Sequence, residues 1–245
     1  MINNGQIKGF TLIEMVLVIV IIGIISTIAM KSLQTSTEQA RFDTTVAEMD
    51  DLARAIVGDE RLVSGGFRTD FGYVGDIGAL PVNLDALVSN PGGYTTWKGP
   101  YIRSDFTQNT DDYKRDAWNQ PYTYAGGLSI SSTGGGSAIT KQIATSSGAL
   151  LLNTVKGIVR DAGLAPPGDS SASVTITIHY PNGSGSSTGA SVTPSKSGEF
   201  TFTSAIPIGI HSIEAVFSAD TSAKYIAVYP DRVAYTELRF STNVW

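Results

Sequence analysis

The chain has 245 residues, a net charge of −5 and only 16% charged residues, so no basic surface points to nucleic acid and no acidic block marks a disordered tail. It contains no cysteine, which excludes disulfide scaffolds, thiolate metal sites and cysteine nucleophiles and leaves the compartment open. An apolar content of 42% is enough for one long helix plus one or two modest domains, and the 26 glycines cluster with Ser and Thr as in loop-rich extracytoplasmic domains.

The first element is an apolar run from Phe10 to Met30. It is about 20 residues long, which as a helix spans roughly 30 Å, one bilayer core. It holds one carboxylate, Glu14, near its start. An ionisable side chain in hydrocarbon costs about 2.5–3.5 kcal/mol, so the residue needs a use. A secretory signal peptide would read Lys8 as its basic region and Thr27-Ile28-Ala29 as its cut, but the run is too long and Glu14 is out of place in it. A plain single-span anchor fits the length and puts Lys8 on the cytoplasmic side, leaving Glu14 unexplained. Gly23 makes a weak helix-packing signal, since glycine is common in membrane helices generally.

Lys8-Gly9-Phe10-Thr11-Leu12-Ile13-Glu14 resembles the cleavage and methylation site of type IV pilins and type II secretion pseudopilins. The resemblance implies a leader at 1–9, a prepilin peptidase cutting between Gly9 and Phe10, N-methylation of Phe10, and a transmembrane or filament-core helix at 10–30. It also implies a single-pass protein of the bacterial inner membrane, its globular part in the periplasm. Such subunits pack against copies of themselves in a helical filament, with lipid and the secretion or pilus assembly machinery as further partners. A free amine on Phe10 is a good partner for the Glu14 carboxylate, and a neighbouring subunit can supply it. Glu14 then acts as a register device for assembly; the alternative is a carboxylate that snorkels to the headgroups.

Beyond Met30 no Pro or Gly occurs before Gly58, and Phe42, Val46, Met49, Ala53 and Ile56 recur at helical spacing. Residues 31–57 therefore read as an amphipathic helix continuing the membrane helix without a break. Many pilins carry a kinking proline near the position of Lys31, and this chain does not. Residues 59–105 are punctuated by Gly and Pro, with a helical turn predicted at 84–88. Asp70-Phe71-Gly72 spells a kinase magnesium motif, but no phosphate loop accompanies it. Trp97-Lys98-Gly99-Pro100-Tyr101-Ile102 and Asp116-Ala117-Trp118-Asn119-Gln120-Pro121-Tyr122-Thr123-Tyr124 predict a turn at 119–121 and a strand from Tyr122. Together they resemble the core of the major type II secretion pseudopilin, where such segments frame a short antiparallel sheet on the long helix. Ala117 and Gln120 depart from that pattern. The family's next loop commonly binds calcium through aspartates, but Ser129–Ser137 has no carboxylate, so the calcium site is not carried over and no cofactor is expected. Asp111, Asp112 and Asp116 read as a solvated turn rather than a metal cluster.

Residues 148–163 predict a short helix ending near Gly163, and 166–171 a proline-stiffened linker. About six strands follow, among them Val174-Ile176-Ile178, Phe200-Phe202, Ile208-Ile210-Ser212 with a parity shift to Ile213-Ala215-Phe217, and 233–240. The fold expected is α+β: a long helix packed on a small antiparallel sheet in a pilin-like domain at 31–165, then a small antiparallel sandwich at 172–245, weakly similar to transthyretin-like domains. His179 and His211 lack a third ligand or carboxylate at useful spacing and read as polar-face residues. No nucleophile elbow or phosphate loop is present, so an enzyme is not expected. The functional expectation is a secretion pseudopilus subunit, with a surface pilin or a membrane-anchored binding module as competitors.

Overall fold

The computed structural model describes residues 9–102 and 111–245, and its architecture is α+β: one long N-terminal helix, small antiparallel sheets and a β-rich C-terminal region. Helix α1 spans Leu12–Val57, 46 residues, and so about 70 Å. Thr11 caps its start, and Gly58, at φ 85°, ends it. The expected single continuous helix is present. Its packed part is shorter than the apolar spacing suggested: residues are exposed through Thr44, and Phe42 is 43% exposed. The buried face begins at Thr45 and continues through Met49, Leu52, Ala53 and Ile56. Thr45 rather than Val46 is fully buried, and its hydroxyl accepts the Ala117 N–H at 3.2 Å.

A minimal hairpin, β1 (Val63–Ser64) and β2 (Phe67–Arg68), precedes the short helix α2 (Gly72–Ile77). Asp70 accepts the Asp59 N–H at 2.8 Å and the Gly72 N–H at 3.0 Å, which ties the end of α1 to the start of α2 and explains Asp70-Phe71-Gly72 structurally. Gly72 sits at φ 56°, and a Cβ there would lie 2.6 Å from the Ala55 carbonyl oxygen. The predicted turn is a 3-10 helix at Leu84–Leu87 capped by Asn83. Strands β3 (Ser129–Ser132) and β4 (Ile139–Gln142) form an antiparallel hairpin against α1. Tyr122–Tyr124 is not the expected strand. Its two sides meet different segments at single positions, Arg115 with Pro121 and Thr123 with Ser131, so no ladder forms.

The helix expected over 148–163 is corrected. Only Ser147–Leu151 is helical (α3), and Asn153–Arg160 is a strand, β5. Asn153, Val155, Gly157 and Val159 are buried in alternation, a period of two that the β-branched Thr154, Val155, Ile158 and Val159 favour over a helix. Strands β6 (Val174–Pro181), β7 (Ser187–Val192), β8 (Glu199–Ile206), β9 (Gly209–Phe217), β10 (Asp220–Val228) and β11 (Ala234–Arg239) follow. They form a four-stranded sheet, β10-β9-β6-β7, and a three-stranded sheet, β11-β5-β8. The β11–β5 pair is parallel, which the repeating pattern did not reveal. Val155 and Val159 share one hydrophobic cluster with Ile176, Phe202, Ile213 and Leu238, so β5 packs with strands on the far side of residues 166–171. That stretch enters a 3-10 helix, Gly168–Ser173, pinned by Gly168 N–H to Lys196 O and by Lys196 to Asp169 at 2.6 Å.

The face assignment at β9 also changes. Ile208 precedes the strand and joins the helix-side cluster, with its N–H on the Leu150 carbonyl at 2.8 Å. Ile210 is 47% exposed and His211 is 2% exposed. His179 stands opposite Ser212, and so on the other face of the sheet from His211, 3.4 Å from Glu214. The two histidines do not meet.

Candidate processing and assembly site

Gly9 and Phe10 are exposed and lie outside any helix, and Lys8 falls outside the described residues. Nothing lies within 4 Å of where a Gly9 side chain would be. Phe10 is 79% exposed and Leu12 83%. An extended, uncovered segment just before a helix can be drawn into a protease cleft without unfolding anything else.

Thr11 and Glu14 form a capping box. The Thr11 N–H and its hydroxyl both donate to Glu14 Oε2 at 2.8 Å, and the Glu14 N–H donates to Thr11 Oγ1 at 3.3 Å. The carboxylate therefore has partners within its own chain. Sequence reasoning passed over Thr11, although Thr-x-x-Glu ahead of an apolar run is the signature of such a cap. Because one carboxylate oxygen receives both Thr11 bonds, Oε1 is left for another donor.

Downstream of the cap, the apolar side chains from Met15 to Met30 are exposed throughout, and their most apolar window has mean hydropathy 2.8 with none of it buried. Each Val, Leu or Ile is worth about 1.5–3 kcal/mol when buried, so this half of α1 needs lipid or other helices around it. The Thr27 hydroxyl donates to the Gly23 carbonyl at 2.8 Å, hiding its polarity along the helix.

The polar half of α1 is gripped by the 116–122 segment. Trp118 Nε1 donates to Glu38 at 2.7 Å, the Tyr122 hydroxyl donates to Glu48 at 2.7 Å, and Lys141 pairs with Asp50 at 2.5 Å. Burial pushes the Glu48 carboxyl above its usual range, opposed by the Tyr122 bond. Asp116, buried, accepts Trp118 N–H and Gln120 N–H on one oxygen and Ser132 Oγ and Gly134 N–H on the other. This is a correction to the solvated turn expected at 111–116. Asp111 pairs with Lys114 at 3.0 Å, and Asp116 is taken up inside the fold. The Ser129–Ser137 stretch is β3 and the turn after it, and within it Ser132 Oγ and the Gly134 N–H are bonded to Asp116. Trp97 Nε1 donates to the Ala86 carbonyl at 3.0 Å and its ring meets Tyr101 edge-on, which makes the 97–102 segment core packing.

Residues 5–30 match the family model described as the prokaryotic N-terminal methylation motif. Among curated proteins, none matches the sequence. The solved structure described as "Crystal Structure of S.CueP" is similar at 10% identity over 46% of this chain and 74% of that one, with a TM-score of 0.28, too distant to bear on fold or function. The matched residues take in Gly9, Phe10 and Glu14 together with the exposed apolar stretch of α1, so this segment is similar to an N-terminal methylation signal of the type IV prepilin kind, and the length and composition of the helix behind it fit membrane anchoring.

Proposed function

We propose that this chain is a structural subunit of a filament assembled through α1, and that the filament is a type II secretion pseudopilus. The observation that carries the proposal is the bare apolar half of α1 headed by the Thr11–Glu14 cap, lying within the matched methylation motif. Cleavage between Gly9 and Phe10 leaves a methylated amine on Phe10, a cation within reach of a carboxylate in a neighbouring copy. Glu14 then rewards only the register in which that amine arrives. The subunit waits in the inner membrane with its globular part in the periplasm, and filament growth moves the apolar helix from lipid into a bundle of helices. Binding and packing suffice for this role, and no catalytic step is assigned. Support for a pseudopilus over a surface pilus comes from the 97–102 and 116–124 segments and from the absence of cysteine.

Intact mass and N-terminal sequencing of the protein purified from membranes test the processing step. The expected mature chain begins at N-methylated Phe10; any other N-terminus overturns the reading. A surface pilus is the second reading, favoured by the large β-region. Electron microscopy of the cell surface, with secretion assayed in the same deletion strain, decides between them: loss of secretion without loss of surface fibres supports the pseudopilus.

A further inference from the structure

The β-region carries a groove of about 490 Å³ where β10 and β11 part, roofed by the β1–β2 hairpin. Its wall aromatics come from three places in the chain: Phe67 (63% exposed), Tyr225 (76%) and Tyr235 (68%), with Tyr229 alongside. The lining includes Arg68, Lys224 and Arg232 and no carboxylate, in a chain whose net charge is −5. Arg68 is committed to the Asp70 and Val57 carbonyls and stands 3.6 Å from Glu60. Lys224 donates to the Glu237 backbone carbonyl at 3.0 Å and is paired with no carboxylate among the described residues. Arg232 is exposed and has no hydrogen bond or ion pair among the described residues. The groove therefore offers two available cations beside exposed tyrosine faces.

The strand edges decide what fits. The outward carbonyls of β11 at Glu237 and Arg239 are already taken by Lys224 Nζ and by Ser222 Oγ at 2.8 Å, so an added peptide strand finds no open ladder there. Tyrosines beside cations instead suit a ring with one apolar face, a rim of hydroxyls and a carboxylate. Thr236, beneath the groove, holds a buried hydroxyl without a partner, so the floor is polar as well as aromatic.

We infer that the groove between β10 and β11 binds an acidic saccharide, its ring against Tyr225 and Tyr235 and its carboxylate at Arg232 and Lys224. The site is independent of leader processing and filament assembly. It is tested on the full chain in detergent by calorimetric titration with short oligogalacturonate and with hyaluronan fragments, against a neutral oligogalactan and a polyaspartate peptide. At least one acidic saccharide should bind, more weakly as salt rises. R232Q and the Y225A/Y235A pair should each weaken binding by about tenfold with unchanged unfolding transitions, because all three side chains are exposed. The inference is overturned if neither acidic saccharide binds, if oligogalactan binds as tightly, if polyaspartate binds in their place, or if both variants bind as the parent does.

Discussion

Glu14 has one role in the single chain and a second in the proposed filament, and the choice of substitution separates them. In the single chain it closes the Thr11 cap, and caps of this kind are worth about 0.5–2 kcal/mol. In the proposed filament it also meets a neighbour's amine. Replacing it by Ala removes both roles, whereas Gln keeps the acceptor for Thr11 and loses the charge. If charge sets register, both E14A and E14Q should be cleaved normally and both should fail to assemble. Filaments from E14Q with none from E14A, scored by sedimentation and electron microscopy, would leave capping as the whole role. Asp116 shows the opposite use of a carboxylate. Enclosed by four protein donors, it organises the hairpin beneath Trp118 and has nothing left to offer an ion.

At the scale of elements, α1 was legible almost to its ends because the apolar run, the helical spacing after it and a terminal glycine agree locally, while the Thr11 cap became evident only in the structure. β5 was not legible, since Gly148-Ala-Leu-Leu-Leu leads into it with a helical pattern and only the strands on either side give it a sheet to join. Gly157 records how closely they approach: a Cβ there would stand 2.2 Å from the Thr236 carbonyl oxygen and 2.4 Å from the Phe200 ring. Substituting Ala should therefore destabilise the sheet by about 1–3 kcal/mol, read as a lowered denaturant midpoint. A change below a few tenths would mean that β5 can shift away from Phe200. The turn at 119–121 was legible from Asn-Gln-Pro, but the strand after it was not, because pairing partners are a long-range property.

At the scale of the molecule, the two hydrophobic clusters meet where α2 packs on β9, and His211 is sealed near that seam. Its Nε2–H donates to the Pro207 carbonyl at 2.7 Å, its Nδ1 has no partner, and Tyr180 lies edge-on to the ring. Burial pulls its pKa below the ordinary histidine value, with Lys98 acting in the same direction and the Pro207 bond against it. The unfolded chain therefore takes up this proton at higher pH than the folded one. Stability should fall as pH drops through about 6.5 and level off only below the folded-state value. Glu48 has the opposite sign: its raised carboxyl favours the folded state on the acid side and loses that contribution as pH rises through the folded value. Comparing pH-dependent unfolding of the parent and H211Q isolates the histidine contribution, and identical slopes would exclude it.

By itself the sequence determined the membrane-length helix, its N-terminal methylation motif, the turn punctuation and the strand-rich C-terminal half, because each is a local pattern of residue type, polarity or backbone freedom. Only the tertiary structure decided that β5 belongs with β8 and β11, that His211 is inside and Ile210 outside, that Asp116 is enclosed, and that residues near 67, 225 and 235 share one groove. Those outcomes depend on which surfaces meet across long stretches of chain. A strand offset by one residue exchanges its inner and outer faces without any change in its local pattern.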